Sequence, residues 1–227
     1  MKKILLLVLS ITLLFTSSVF ANSANNTEKN NKSENFIEKN VDGITFKISK
    51  KYSQLITNED LESIAKDYQE EEILITIEEI GYAEEDSFSK DLIEPMWGVG
   101  NTYETTYGAW GTEYVKKDAF VASVAKGESY TLTSEIKINL NASYTGTPYV
   151  PITVGADITA TYIKSHTFEG PEETSFFNSR EFRVKFYEKS SNWTQKWYMD
   201  GFLVGTKTGI RTSATKYLKY SVDRNIQ

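Results

Sequence analysis

The chain has a single histidine, His166, and no cysteine among its 227 residues. Nucleophilic catalysis by a serine needs a neighbouring base, and His166 is the lone histidine that could serve. It sits at the end of an alternating run in "KSHTFEG", and no G-x-S-x-G turn occurs anywhere. The doublet Gly98–Gly100 lacks the third glycine of a phosphate loop and no helical pattern follows it. The acidic stretch "EEDSFSKD" with Asp91 and Glu94 offers oxygen donors, but not at the spacing of a calcium-binding EF-hand loop. A glycosidase needs only two carboxylates ~5–10 Å apart. Glu169, Glu172, Glu173 and Asp200 lie near turns, where solvated charge is the simpler reading. The expectation is therefore a non-enzymatic protein with no catalytic residue, no metal and no cofactor.

Aromatic side chains carry more information. Trp97, Trp110, Trp193, Trp197 and Tyr198 include all four tryptophans and fall in loops or on alternating strands. A flat ring offers a large contact area with few torsions to freeze, which is what binding of a sugar or a peptide uses. Trp193 and Trp197 share parity, so one strand face presents both. These five residues are the candidate ligand-binding aromatics.

The stretch 130–144, "YTLTSEIKINLNASY", alternates for fifteen residues. Its even positions are nearly all apolar and its odd positions all polar. A second run, Ile152 to Tyr162, alternates likewise, and seven residues, 145–151, join the two. They should pair as one hairpin. At ~3.3 Å per residue the longer strand reaches roughly 46–50 Å, against a usual ~17–20 Å. One apolar face on a core explains the alternation without further assumption, with a bend or bulge at Ser134 or Gly155 dividing the run. The other explanation is a membrane stem, whose spanning strands take ~9–11 residues, apolar outward, with aromatic residues at both interfaces. Tyr130 and Tyr144 bracket one strand, Tyr149 and Tyr162 the other. Leu132, Ile136, Ile138, Leu140, Val154, Ile158 and Tyr162 are then the candidate membrane-facing residues.

On this pattern, residues 129–167 resemble the inserting hairpins of aerolysin-type β-pore-forming toxins. That resemblance implies oligomerisation followed by insertion. It also requires a soluble form that stores the apolar face somewhere. More broadly, "VASVAKGESYTLT", "NSREFRVKFYE" and "YSVDRNI" resemble uncharacterised secreted β-proteins of Gram-positive bacteria, which implies export and a β-fold and no activity.

The remaining sequence supplies the scaffold. Residues 1–21 read as a signal peptide: Lys2 and Lys3, an apolar run to Phe15, and a small-x-small site ending at Ala21. The mature chain is expected to be extracellular. Residues 22–35 hold no large apolar residue and read as a disordered leader. Residues 36–94 read as a small acidic α+β module. Its strand centres on Ile44, Phe46 and Ile48, its helix starts at Thr57 or Asn58, and "EILITIEEI" supplies a second strand. Residues 95–227 read as an antiparallel β-domain, with Asp200-Gly201 as a two-residue hairpin turn. The fold class is mainly β, an antiparallel β-sandwich or elongated β-domain with a long hairpin. Without the signal peptide the chain carries 23 basic and 31 acidic residues, and no basic face of the kind that binds nucleic acid. The leading functional expectation is a secreted protein that binds a cell-surface glycan or protein. A pore-forming toxin comes second and a secreted hydrolase third. Membrane contact is expected only if the hairpin inserts.

Overall fold

The computed structural model describes residues 35–68, 72–84 and 100–226. The signal peptide, the leader through residue 34, the acidic stretch 85–94 and Trp97 lie outside them. The fold is mainly β. Three strands precede residue 84: β1 Phe36–Val41, β2 Ile44–Ser49 and β3 Leu74–Tyr82, with helix α1 Asn58–Ala65 between the last two. Then come β4 Asn101–Tyr107, β5 Tyr114–Ala125, β6 Ser129–Thr131, β7 Ile136–Leu140, β8 Ile158–Tyr162 and β9 Thr167–Glu169. Two long strands, β10 Ser179–Met199 and β11 Phe202–Arg224, end the chain.

The main sheet runs β1-β2-β3-β11-β10, and both β4 and β5 pair with the far edge of β10. Its strands are antiparallel except β2 and β3, which are parallel. That parallel pair lies within the segment read as a small α+β module. Parallel neighbours need a crossover, and α1 supplies it. The helix begins where Thr57 accepts from the Asp60 N–H while the Asp60 carboxylate accepts from the Thr57 N–H, a reciprocal cap. Because β3 hydrogen-bonds to β11 from Leu74–Asp223 to Tyr82–Lys216, the N-terminal strands and the C-terminal hairpin form one sheet.

Alternation in "FRVKF" and "WTQKW" suggests two strands with a polar break at Glu188–Ser191. The structure runs through that break as a single strand of 21 residues, with a register shift at Tyr187/Glu188. Glu188 is tolerated there because Lys116 lies 2.9 Å from its carboxylate and the Tyr114 hydroxyl donates to it. The turn between β10 and β11 is Asp200-Gly201, with φ of 51° and 85°, as the dipeptide demanded. This ribbon reaches about 70 Å at ~3.3 Å per residue.

Its two faces are covered differently. Leu218, Tyr220 and Val222 join Leu61, Ile64 and Ala65 of α1 in one core. Phe182, Val184 and Phe186 join Leu140, Ile158, Ala160, Tyr162 and Phe168 in the other. The main sheet therefore carries a helix on one face and, on the other, the two short two-stranded sheets of the 129–169 segment. Cations buried on the helix side are paired: Lys185 Nζ donates to Asp67 at 2.7 Å and to the Ser63 carbonyl at 2.8 Å. Leu61→Ala should lower the unfolding free energy by about 2–5 kcal/mol, and Thr57→Ala by about 1 kcal/mol, in urea titrations followed by circular dichroism. A Leu61→Ala loss no larger than that of Thr57→Ala would show that α1 is not part of the main core.

Candidate functional site: a docked hairpin and its latch

The segment 129–169 folds back along the sheet as one interrupted hairpin. Ser129 faces Glu169, and Ile136 to Leu140 face Tyr162 to Ile158, in a single register. Between the two ladders the strands bend at Thr133 and Ser134, and Ser165 takes a positive φ of 74°. Leu132 bridges the gap by donating to the His166 carbonyl and accepting from Ser165. The expected seven-residue turn is replaced by a connection from residue 141 to 157, because the backbone of those residues bonds mainly to the sheet.

Parity decides what faces where. Leu132, Leu140, Ile158 and Tyr162 are buried on the sheet, with Ile136 and Ile138 partly buried beside them. Lys137, Asn139 and Thr159 point away and are exposed. Six of the seven membrane-facing candidates thus lie together under cover. Val154 falls in the connection, half-buried. The apolar face of the hairpin lies against the surface made by Val124, Phe182, Val184, Phe186 and Ala214.

The connection 141–157 is tied to the upper half of β10 and β11, beyond the end of β3. Thr145 N–H donates to the Ile210 carbonyl, Thr212 N–H to the Ser143 carbonyl and Gly155 N–H to the Thr212 carbonyl. The wholly buried Gln195 accepts from Tyr149 N–H at 2.8 Å and donates to the Val150 carbonyl at 2.9 Å and to Thr105 at 3.1 Å. The Tyr107 hydroxyl accepts from Thr153 N–H at 3.0 Å. A side chain at Gly209 would collide with the Thr145 carbonyl and the Trp193 ring, so only glycine lets the connection lie this close.

The aromatic candidates divide on this geometry. Trp193 is wholly buried and its indole donates to the Thr145 carbonyl at 3.1 Å, so it holds the latch rather than offering a ring to a ligand. Trp197 packs on Tyr149 with centroids 5.7 Å apart and donates to Asn101. The Tyr198 hydroxyl donates to Glu104. Trp110 is half-buried against the Arg211 guanidinium, 4.5 Å from its centroid. The carboxylates weighed for hydrolysis do not converge: Glu169 and Asp200 lie at opposite ends of β10. Sequence reading missed the exposed apolar turn formed by Met199, Phe202, Leu203 and Val204, although its signal was plain. Three consecutive apolar residues follow Asp200-Gly201, and Phe202 is 77% exposed.

Beneath the hairpin lies a polar seam. Lys219 Nζ donates to Glu79 and to the Thr161 carbonyl, both at 2.7 Å, and sits 4.6 Å from the Tyr162 ring. Burial and the nearby carboxylates Glu78 and Glu79 push the Tyr162 hydroxyl well above its usual range, and it has no hydrogen-bond partner in the described residues. His166 is wedged edge-on between Tyr162 and Phe168. Desolvation, with a smaller contribution from Lys219, holds its pKa below the ordinary 6.5. No protein-family model, no curated protein and no solved structure matches this chain.

A depressed imidazole pKa means that the unfolded chain binds the proton first, so His166 lowers stability as pH falls below about 6.5. Glu78 acts oppositely: burial raises its pKa, so acid removes a penalty. Comparison with His166→Gln separates the two. Between pH 7 and pH 5 the wild-type melting temperature should fall relative to that of the variant. Parallel melting curves across this range would remove His166 as the acid-sensitive contact.

Proposed function

We propose that this chain is the soluble form of a secreted β-pore-forming protein whose 129–169 hairpin leaves the sheet and inserts into a membrane. One observation carries the reading. The hairpin is folded back between β5 and β10, which are themselves antiparallel neighbours ending at Ala125 and Ser179. The connections 126–128 and 170–178 both lie at that end, so swinging about them prolongs two strands that are already paired. The prolonged ribbon runs from Tyr114 to Leu140 on one side, about 90 Å at ~3.3 Å per residue. Its last eleven positions, 130–140 against 158–168, match the ~9–11 residues a spanning strand takes.

Chemistry supports the same reading. Released, the ribbon presents Leu132, Ile136, Ile138, Leu140, Ile158 and Tyr162 on one face and Thr131, Lys137, Asn139, Thr159 and Thr161 on the other. In lipid its edges must be satisfied, so several copies have to close a barrel. The N-terminal export pattern accords with action outside the cell.

The latch provides the test. Ser143 Oγ and Thr212 Oγ1 lie 3.3 Å apart across the connection and β11, close enough for a disulfide in their place. Ser143→Cys/Thr212→Cys adds the chain's only two thiols. Oxidised, this variant should bind dye-loaded vesicles without emptying them, and reduction should restore leakage and detergent-resistant oligomers. Leakage from the oxidised form at the wild-type rate would sink the proposal.

A second reading, attachment to a cell-surface glycan or protein without insertion, is favoured by the exposed apolar turn at Met199–Val204. Phe202→Ser/Leu203→Ser should then abolish cell binding while leaving the melting temperature within a degree or so, since exposed positions contribute within about 0.5 kcal/mol. Undiminished cell binding by this variant would exclude the turn as the attachment point.

A further inference from the structure

Among the described residues, the fully buried cations of β10 and β11 all have a carboxylate partner but one. Lys185 is paired with Asp67 and Asp118, Lys216 with Asp60 and Glu113, Lys219 with Glu79, Arg180 with Asp223, and Arg183 with Asp118. Arg211 has no carboxylate partner among the described residues, although only 7% of its surface is exposed. Its guanidinium lies 3.9 Å from the Tyr107 ring centroid and 4.5 Å from that of Trp110. Its single hydrogen bond, from Nη1 to the Thr153 carbonyl, is long at 3.4 Å, and Nε is buried without a partner. Lys189 approaches Trp110 at 5.5 Å and Lys207 approaches Tyr149 at 4.2 Å, again with no carboxylate.

Desolvating a charge without an opposite charge is costly, and elsewhere on this ribbon the chain avoids it. Burial lowers the Arg211 pKa, and the one group opposing that shift is Tyr107. What the site lacks is an anion. What it offers is a guanidinium against two rings, a second cation near Trp110, and the hydroxyls and carbonyls of the connection. Arginine recognises planar or tetrahedral oxyanions in this way, and a tryptophan beside it suits the apolar face of a sugar ring.

We propose that Arg211, Lys189, Tyr107 and Trp110 form a binding site for an acidic sugar, one that carries a sulfate or carboxylate group. The oxyanion meets Arg211 and Lys189 and the ring lies against Trp110. A sugar suits this place better than a lipid headgroup because these residues lie on the sheet face beside the connection, whereas the most exposed apolar residues of this end form the turn at Met199–Val204. The site also has a consequence that rests on the pore-forming reading. Arg211 holds the connection through Thr153, and a bound oxyanion competes for the same guanidinium, so recognition loosens the latch.

The test uses the full mature chain and its oxidised Ser143→Cys/Thr212→Cys form, titrated with glucose 6-sulfate and followed by tryptophan fluorescence and calorimetry. Glucose, inorganic sulfate and phosphatidylglycerol vesicles are the comparisons. Binding should be millimolar, several-fold tighter than for inorganic sulfate and absent for glucose. Lys189→Gln should weaken it several-fold, and Arg211→Gln should abolish it. Because Arg211→Gln also removes a contact to the connection, the partly exposed Lys189 provides the independent check. Failure of glucose 6-sulfate to bind, affinity unchanged in both variants, or binding to the vesicles alone would each overturn the site. The oxidised form should bind the sugar as the wild type does, so an absence of leakage leaves this inference standing. Leakage without sugar binding removes this inference alone.

Discussion

Everything in this fold answers to a sheet ribbon of two very long strands that are apolar on both faces. A ribbon of this length cannot be left half-solvated where Leu218, Tyr220 and Val222 project on one side and Phe182, Val184 and Phe186 on the other. Two covers are needed, and the chain makes them from different material. The helix side is covered by a crossover that joins parallel strands, which is locked by topology: α1 cannot leave without unpairing β3 from β11. The opposite side is covered by a hairpin whose two strands join the sheet strands β5 and β10 at one end and whose connection is hydrogen-bonded to β10 and β11 at the other.

The hairpin cover is the less completely satisfied of the two. Its apolar residues are buried as well as those of the helix, yet the Tyr162 hydroxyl and Arg211 Nε stay buried without hydrogen bonds. An unsatisfied buried polar group costs about 1–3 kcal/mol. Its attachment along β11 is made by backbone bonds from irregular chain, not by a continuous ladder, and Gln195 alone holds three residues of the connection and β4. Each such bond contributes only about 0.5–1.5 kcal/mol net. The hairpin is thus held by many weak contacts that water can replace, while its apolar face can be replaced only by another apolar medium.

Much of this was legible in the sequence, and the part that was not has physical causes. Alternation identified the two-faced hairpin, and Ser134 marked its bend, because period-two patterning depends on faces and not on pairing partners. Thr57 and Asp200-Gly201 fixed a helix start and a turn because both act through local backbone chemistry. The length of β10 was hidden because Glu188 interrupts the apolar pattern, and its burial depends on Lys116 and Tyr114 of a different strand. The parallel pairing of β2 and β3 was invisible for a similar reason, since each strand alone reads identically in either orientation. Trp193 looked like a ligand-binding ring because side-chain type cannot distinguish an aromatic that meets a ligand from one that meets the protein's own chain at Thr145.

The two halves of the ribbon also differ in electrostatics, and the difference follows the two covers. Where β3 and α1 supply carboxylates, every buried cation finds one. Beyond the end of β3 the sheet is covered by the connection, which contributes Asp157 as its lone acid, and that carboxylate is spent on the Ala142 N–H. Cations there are left to aromatic faces: Arg211 to Tyr107 and Trp110, Lys207 to Tyr149, Lys189 to Trp110. Such contacts are worth roughly 0.5–2 kcal/mol, less than a desolvated charge requires. A region so arranged is stabilised by any anion that reaches it. The same region carries the bonds of the connection, so the unpaired cation and those bonds meet directly through Arg211 and Thr153, two residues in contact.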